Sequence, residues 1–356
     1  MKKLFALTLA MVFALALFTG CVGTTVVVGN CTCPPESHQQ PTLPPVEGAL
    51  KTGLSVTTTL SDSVSATAEK AGAAKYDVTL AAVLVDDKGV IVDCVIDSIP
   101  ATVSFDANGQ ITSDLSMAVP TKNELGAAYN MVAYGGAIAE WDAQAAALAK
   151  YAIGKTVDQL KNGDIDMVTG KAKDGTDLAS SATIYLAGYV YAIEAAVNNA
   201  QHLGAQAGDK LVLATQNSVK SSVSATAEKA GTVQLDADIT ALTRNGDKIT
   251  SCYIDSLQAK LSMDAAGQIT TDLTAAVQTK NQLGEGYGMV AWGGAKAEWN
   301  AQAASFAAYV TGKTAAEVAG IAVSETTKPA DGTDLATSVT ISIGGFQALI
   351  AKAMQE

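Results

Sequence analysis

The feature that most constrains this chain is that most of its sequence occurs twice. The segment 64–72 recurs unchanged as 223–231, and the triplet 121–123 (Thr-Lys-Asn) recurs as 279–281. Equivalent residues lie 157 to 159 positions apart throughout. Solenoid repeats have periods of roughly 20–50 residues, so a period of this length corresponds to a whole globular module. The sequence therefore predicts a tandem duplication of one domain.

The duplication also sets the expected domain boundaries. We expect a signal peptide at residues 1–20, a lipidated cysteine and proline-rich tether at 21–48, and two homologous domains at 49–203 and 209–356. The chain length of 356 residues suits two domains, since one domain usually takes about 150 residues.

The N-terminal residues have the pattern of an exported protein. Lys2 and Lys3 precede an apolar run over residues 4–18, which is shorter than the ~20 residues of a membrane-spanning helix. Phe-Thr-Gly then precedes Cys21, an order that resembles the lipobox of bacterial lipoproteins, in which this cysteine is lipidated. The alternatives are a plain signal peptide with a chance cysteine, or an uncleaved anchor. Residues 22–48 are proline-rich and are expected to form an extended tether.

Charge and composition argue against several kinds of partner. The net charge is −12 and no basic patch is visible, so nucleic acid is not an expected partner. The five cysteines form neither a haem attachment motif nor a zinc motif. Only two histidines are present, His38 and His202, which is too few for a repeated Ser-His-Asp site. Cys94 and Cys252 lie in apolar strand-like runs and are expected to be buried small hydrophobic residues.

The residue pattern of each repeat indicates strands followed by helices, and this order predicts an α+β fold. Residues 76–96 are rich in β-branched and apolar side chains around turn residues 86–89, and the second repeat has its turn at 244–247. Asp97 and Asp255 follow these strands, where acidic residues are usually solvated. The expected helices are a longer stretch at 124–151 and 282–309, and a closing helix near 188–200 and 345–354.

A short motif precedes the closing helix of each repeat. Residues 174–183 read DGTDLASSAT, and residues 331–340 read DGTDLATSVT. Both resemble the flavinylation motif of FMN-binding domains, Asp-x-x-Ser/Thr-Gly-Ala-Thr, in which a flavin transferase esterifies the last threonine to the phosphate of FMN. The matching residues are Asp177, Ser180, Thr183, Asp334, Thr337 and Thr340. Ser181 and Ser338 replace the motif glycine, and Val339 replaces the alanine.

This resemblance has a physical rationale and an alternative. A threonine hydroxyl needs a neighbouring base or metal to act as a nucleophile, and an aspartate a few residues away suits that role. The resulting phosphodiester is an anion, which the N-terminus of the following helix favours. The alternative is a turn followed by a Ser-Ser or Thr-Ser helix cap, with no cofactor.

The block 129–141, repeated as 287–299, is a second candidate for flavin contact. It contains a glycine pair that lets a ring approach the backbone, and it ends in Trp141 or Trp299, either of which is able to stack on a ring. Aromatic residues at helical spacing among alanines are more often part of a core, so that role stays open.

The order of these motifs over nearly all of both repeats is similar to that of the tandem FMN-binding lipoproteins of Gram-positive bacteria. That family is described both as covalently flavinylated extracellular electron-transfer proteins and as precursors of pheromone peptides. The resemblance implies two FMN-binding-type domains, each carrying one covalent FMN, attached by lipid to the outer face of the cell membrane.

The same resemblance implies the partners. It suggests a flavin transferase for maturation, a quinone-linked membrane donor, an extracellular electron acceptor, and a role as an electron carrier rather than a turnover enzyme. Two alternatives remain at this stage. The cleaved signal peptide is one source of a signalling function, and a cofactor-free surface binding module is the other.

Overall fold

The computed structural model describes residues 48–355. The predicted signal peptide, Cys21 and nearly all of the tether lie outside the described residues. Among the residues that the structure describes, no helix is long and apolar enough to cross a membrane. The lipid anchor therefore stays a prediction from the sequence.

Each repeat forms a three-stranded antiparallel sheet followed by helices, a mixed fold compatible with the expected α+β class. The first repeat comprises β1 (Lys51–Thr59), β2 (Gly72–Val85), β3 (Ile91–Phe105), α1 (Lys122–Leu125), a 3-10 turn (Gly126–Tyr129), α2 (Met131–Gly135), α3 (Trp141–Ala152), α4 (Val157–Asn162), β4 (Ile165–Asp166), β5 (Lys171–Ala172), α5 (Asp177–Ser181) and α6 (Ala187–Asn198). The second repeat comprises β6 (Lys210–Ser218), β7 (Gly231–Asn245), β8 (Lys248–Met263), α7 (Lys280–Leu283), a 3-10 turn (Gly284–Tyr287), α8 (Trp299–Val310), α9 (Ala315–Ala319), α10 (Asp334–Ser338) and α11 (Gly344–Ala353).

The hairpin predicted around residues 86–89 is confirmed. β2 pairs antiparallel with β3, and Asp86 Oδ1 accepts the backbone N–H groups of Lys88 (2.8 Å) and Val90 (2.9 Å) in the turn. Gly89 has φ +76°, a conformation that glycine adopts without steric cost. The closing helices α6 and α11 are also found where the apolar pattern predicts them.

The prediction of one long helix at 124–151 is wrong, because three residues with positive φ interrupt it. Gly126 (φ +47°), Asn130 (φ +64°) and Gly136 (φ +61°) all have positive φ, which an α-helix cannot contain. The stretch consequently divides into α1, a 3-10 turn, α2 and α3. Strands β1 and β6 were not among the expected elements, although each forms an edge of its sheet.

The two sheets share one hydrophobic core. Side chains alternate along β2, so that Tyr76, Val78 and Leu80 lie in a core that also contains Leu235 and Ile239 of β7. The opposite face of each sheet is covered by the helices of its own repeat. The described residues therefore form four layers in the order helices, sheet, sheet, helices.

The repeated segments 64–72 and 223–231 each form a hydrogen bond with the other repeat. The backbone N–H of Ala66 donates to the carbonyl of Gly267 (2.9 Å), and the backbone N–H of Ala225 donates to the carbonyl of Gly109 (2.9 Å). The contact is reciprocal, as in the isologous interface of a two-fold dimer. Each copy of the segment 64–72 and 223–231 thus contacts a turn of the other repeat.

Glycine is required at the centre of this contact. A Cβ atom at Gly267 would lie 2.5 Å from the carbonyl oxygen of Asp106, and one at Gly109 would lie 2.6 Å from that of Asp264. Both glycines also have positive φ, +65° and +66°. A side chain at either position would therefore force the repeats apart as well as strain the backbone.

Candidate functional site

Thr183 and Thr340 occupy equivalent places, between the two last helices of their repeats. Thr183 lies between α5 and α6 and is exposed, and Thr340 lies between α10 and α11 and is half-buried. The short helix before each threonine is capped by Thr176 or Thr333, whose hydroxyl accepts a backbone N–H three residues on. The serines suggested as caps instead lie at the C-terminal ends of these helices. The cap interpretation of those serines is therefore wrong.

The other motif residues lie on the surface of the two short helices. The Ser180 hydroxyl donates to the carbonyl of Asp177 (2.7 Å), and the Thr337 hydroxyl donates to the carbonyl of Asp334 (2.7 Å). All four side chains are exposed. These four residues form the short helix before each threonine, and their side chains face solvent.

A buried glutamine holds the backbone at each threonine. The Gln144 side chain is fully buried, and its Oε1 accepts Thr183 N–H (2.7 Å), Ile184 N–H (3.2 Å) and the Thr183 hydroxyl (3.2 Å). Its amide nitrogen donates to the carbonyl of Ala139 (2.8 Å), which fixes which way the amide is turned. The threonine is thus presented from a backbone that is anchored in the core.

The second repeat has the same arrangement. Gln302 Oε1 accepts Thr340 N–H (2.7 Å), Ile341 N–H (3.2 Å) and the Thr340 hydroxyl (3.1 Å), while its amide nitrogen donates to the carbonyl of Ala297 (2.8 Å). In both repeats the hydroxyl contact is longer than the shortest backbone contact. The backbone on either side of the threonine is therefore held by the glutamine through two N–H groups besides the hydroxyl contact.

The two tryptophans begin the helices α3 and α8, which carry the glutamines Gln144 and Gln302. Trp141 is 2% exposed, and its Nε1 donates to the Tyr189 hydroxyl (3.1 Å). Trp299 is 5% exposed and meets Phe346 edge to face, with 5.8 Å between ring centroids. Both rings are packed in the hydrophobic cores of their repeats.

A lysine lies over the ring of each tryptophan. Lys122 Nζ is 5.1 Å from the Trp141 ring centroid and 5.2 Å from that of Tyr129, and Lys280 has the same relation to Trp299 (5.0 Å) in the second repeat. Lys122 is buried, so its cation–π contacts are partly desolvated and correspondingly strong. Each lysine therefore lies at the first residue of the helix whose glutamine, one turn later, binds the threonine.

Buried aspartates position these lysines. Asp97 Oδ1 accepts the backbone N–H of Asn123 (3.1 Å), and Asp255 Oδ1 accepts that of Asn281 (3.1 Å), at the starts of α1 and α7. Burial raises the pKa of both carboxyl groups, that of Asp255 to about 6. The expectation that these aspartates are solvated is wrong, because their oxygens are needed as acceptors for the helix start that carries the lysine.

A cavity of about 400 Å³ opens beside the residues that follow Thr183. Its walls include Lys122, Tyr129, Met131, Trp141, Ile184 and Tyr189. A second cavity, of about 240 Å³, shares Asp77, Lys122 and Tyr129 with the first, so the two are adjacent. Aromatic walls with a few charged groups are typical of cofactor sites.

Sequence reasoning missed the glutamines and the lysines. Gln144 and Gln302 belong to the repeated Glu-Trp-x-Ala-Gln-Ala segment, and Lys122 and Lys280 belong to the repeated Thr-Lys-Asn. The repetition itself was a signal. It did not reveal that both segments meet at the threonine.

The remaining candidate chemistries lie elsewhere or lack support. Cys94 and Cys252 are buried, as the sequence predicts, and burial raises the pKa of both thiols. Within residues 48–355, no group of three or more His, Cys, Asp or Glu side chains is arranged to hold a metal ion.

Comparisons of the chain with protein-family models, curated proteins and solved structures give no match.

Proposed function

We propose that this protein is a membrane-tethered extracytoplasmic flavoprotein that carries FMN covalently on Thr183 and Thr340 and acts as an electron carrier. The observation that carries the proposal is the repeated presentation of a threonine hydroxyl, on a glutamine-anchored backbone, next to a lysine and a buried tryptophan. Neighbouring side chains of the motif are exposed, which suits modification by a flavin transferase.

The residues around Thr183 fit a flavin. The cavity of about 400 Å³ is within the range of roughly 300–1,000 Å³ that holds cofactors and drug-sized ligands. Trp141, Tyr129 and Tyr189 supply apolar walls, and Ile184, the residue after Thr183, also lines the cavity. A phosphoester at Thr183 would therefore attach FMN beside this cavity.

The protein groups have distinct roles in this proposal. When bound, the isoalloxazine ring supplies the one- and two-electron chemistry. Gln144 holds the attachment backbone through two N–H groups, which are separate from the hydroxyl that would be esterified. Lys122 places a positive charge where negative charge on a reduced ring would be stabilised. The first turn of α6 has no side-chain cap, so its N–H groups are available to a phosphate.

The remaining parts of the proposal rest on the sequence. The lipobox at Cys21 and the proline-rich tether would hold the protein at the outer face of the membrane, where it would accept electrons from a quinone-linked donor and pass them to an extracellular acceptor. A covalent bond suits such a location because a dissociable cofactor would be lost outside the cell.

Coexpression with a flavin transferase tests the proposal. Intact-mass measurement of the membrane-extracted protein should show two FMN additions and an acylated N-terminus at Cys21, and the yellow colour should persist after denaturation. Thr183→Ala and Thr340→Ala should each remove one FMN. Ser181→Ala is the matched control, since this hydroxyl bonds only the backbone of α5.

Two outcomes would contradict the proposal. Colourless protein under these conditions would exclude a flavin role. Colour that survives in the double threonine variant but is lost on denaturation would point to a non-covalent ligand instead.

A further inference from the structure

Each repeat carries one short loop whose apolar side chains face solvent. Residues 131–138 are named the first tip, and residues 289–296, their equivalents in the second repeat, are named the second tip. Tyr134 is 88% exposed, and Trp292 at the equivalent position is 89% exposed. The valine two residues before each ring is exposed as well. Large apolar side chains therefore stand in solvent at the same place in both repeats.

Hydrogen bonds hold the backbone of both tips. The carboxylate of Glu140 accepts the backbone N–H groups of Met131 (2.8 Å) and Val132 (3.2 Å). Glu298 makes the equivalent contacts in the second repeat, at 2.8 Å and 2.9 Å. Each glutamate is thus engaged with the backbone at the base of its tip. The apolar side chains are presented from a backbone that is already ordered, so binding through them costs less conformational entropy.

The Trp292 ring is supported on one side only. A Cβ atom added at Gly288 would lie 2.2 Å from Trp292 Cδ1, so the ring lies against the backbone at this glycine. Gly288 also has φ +77°, which a residue with a side chain rarely adopts. The contact orients the ring and leaves most of its surface open to a partner.

The composition of the tips favours a lipid surface over a soluble ligand. The first tip reads MVAYGGAI and the second MVAWGGAK, without an acidic residue in a chain of net charge −12. Their strong hydrogen-bonding side chains are only Tyr134, Trp292 and Lys296. A ring that is almost fully exposed has no pocket walls beside it, whereas small-molecule sites are concave with several placed polar groups. Tyrosine and tryptophan are the residues enriched where lipid headgroups meet hydrocarbon.

Packing does not explain why the tips are alike. They share six of their eight residues, and the position that carries the exposed ring is aromatic in both. Exposed strand positions elsewhere differ between the repeats, as Thr102 on β3 and its equivalent Lys260 on β8 do. Apolar side chains that contact little of their own protein are therefore retained in both copies, as expected for a contact surface.

We propose that the two tips dock the folded repeats on a lipid membrane, with the rings of Tyr134 and Trp292 at the level of the headgroups. The predicted lipid attachment at Cys21 lies 27 positions before Gly48, the first described residue. A segment of that length spans at most about 100 Å, so it keeps the repeats near the membrane without setting which face is turned towards it. The tips supply that orientation. One tip is sufficient for contact, and simultaneous contact by both adds avidity.

Vesicle binding by unacylated protein tests the proposal. The chain from residue 21 onward with Cys21→Ser keeps every described residue and has no acylation site, and expression without a flavin transferase leaves it without covalent flavin. It should co-sediment with phosphatidylcholine vesicles, and high salt should leave the binding unchanged because the contact is apolar. Of the three tryptophans, Trp141 and Trp299 are buried, so Trp292 is the one that reports the contact. Its emission should shift to shorter wavelength, and its quenching by acrylamide should fall.

Substitutions at exposed positions assign the binding to the tips. Trp292→Ala and Tyr134→Ala should each weaken co-sedimentation, and the double variant should lose at least about tenfold in partition coefficient, because the rings supply most of the apolar area placed in the lipid. Trp292→Phe, which keeps an apolar ring, should retain most of the binding. Tyr191→Ala removes an exposed aromatic ring from α6 and is the matched control, which should bind like the wild type. Circular dichroism should show that all of these variants are folded.

Four results would overturn the proposal. The first is no binding of the unacylated chain to phosphatidylcholine, and the second is undiminished binding by the double variant. The third is binding only to vesicles that contain phosphatidylglycerol and only at low salt, which would assign the contact to basic residues. The fourth is a concentration-dependent dimer that Trp292→Ala abolishes, without vesicle binding, which would make the tips an interface between copies. The tested protein carries neither acyl chain nor flavin, so each of these results leaves the proposed function to its own test.

Discussion

Asp255 offers a quantitative test of how the second repeat is held together, since its carboxyl group is buried and titrates in an accessible pH range. The residue is 7% exposed, and its Oδ1 accepts the backbone N–H groups of Ser256 (2.7 Å) and Asn281 (3.1 Å). Burial raises its pKa to about 6, although these hydrogen bonds oppose the rise. We predict that Asp255→Asn increases the free energy of unfolding, relative to wild type, as the pH is raised.

The magnitude follows from proton linkage. An aspartate in an unfolded chain has a pKa of about 3.9. Because the folded pKa is higher, the folded state binds more protons between these values. The stabilisation is therefore fully present below about pH 4 and is lost as the pH rises through about 6. At about 1.4 kcal/mol for each pH unit, the loss is roughly 3 kcal/mol. Asparagine keeps an acceptor oxygen for the two N–H groups and has no charge to bury.

Urea denaturation between pH 4.5 and pH 7.5 measures the effect. The unfolding free energy of Asp255→Asn minus that of wild type should rise by ~2 kcal/mol over this range and level off above pH 7. Exposed carboxylates whose pKa is lowered, such as those of Asp87 and Asp106, contribute to both proteins and cancel in the difference. Asp247→Asn, in the exposed turn between β7 and β8, is the matched control for the loss of one carboxylate. A flat difference for Asp255→Asn would refute the burial argument.

Three further predictions follow from single contacts. Gly267→Ala should destabilise the fold by ~2–4 kcal/mol in urea denaturation, whereas Gly89→Ala, with positive φ but open space around it, should cost only ~1–2 kcal/mol; equal effects would exclude steric contact between the repeats. Gln144→Leu should cost ~1–3 kcal/mol and reduce flavin loading at its own repeat only, because two backbone N–H groups lose their acceptor. Cys94 and Cys252 should resist maleimide at pH 7.5 until urea is added, as read by peptide mass mapping; rapid native labelling would contradict their burial.

The sequence predicted the parts of the fold that depend on local pattern. β-branched runs on either side of turn residues gave the hairpins, and apolar runs gave the closing helices α6 and α11. The prediction of one long helix was wrong. It followed the helix-favouring alanines of this stretch, but Gly126, Asn130 and Gly136 take positive φ and interrupt the helix. Periodicity reports which face is apolar, and it does not report where the backbone turns.

The sequence predicted where the candidate threonines lie, but it did not predict which distant residues contact them. The motif located Thr183 and Thr340, and their surroundings differ from a helix cap because each hydroxyl contacts a buried glutamine. Gln144 lies 39 residues from Thr183 in the sequence. No local pattern links two residues at that separation, so the contact becomes visible only when α3 and the loop after α5 pack together.

By itself, then, the sequence determined that two equivalent units exist and which segments they repeat, because duplication and hydrophobic period are properties of the order of residues. The tertiary structure decided what the repeated segments do. It brought the segment at Ala66 against Gly267 of the other repeat and buried Asp97 and Asp255 under the helices that carry the lysines. Each of these outcomes depends on contacts between distant residues, whose energies are set by burial and distance in space.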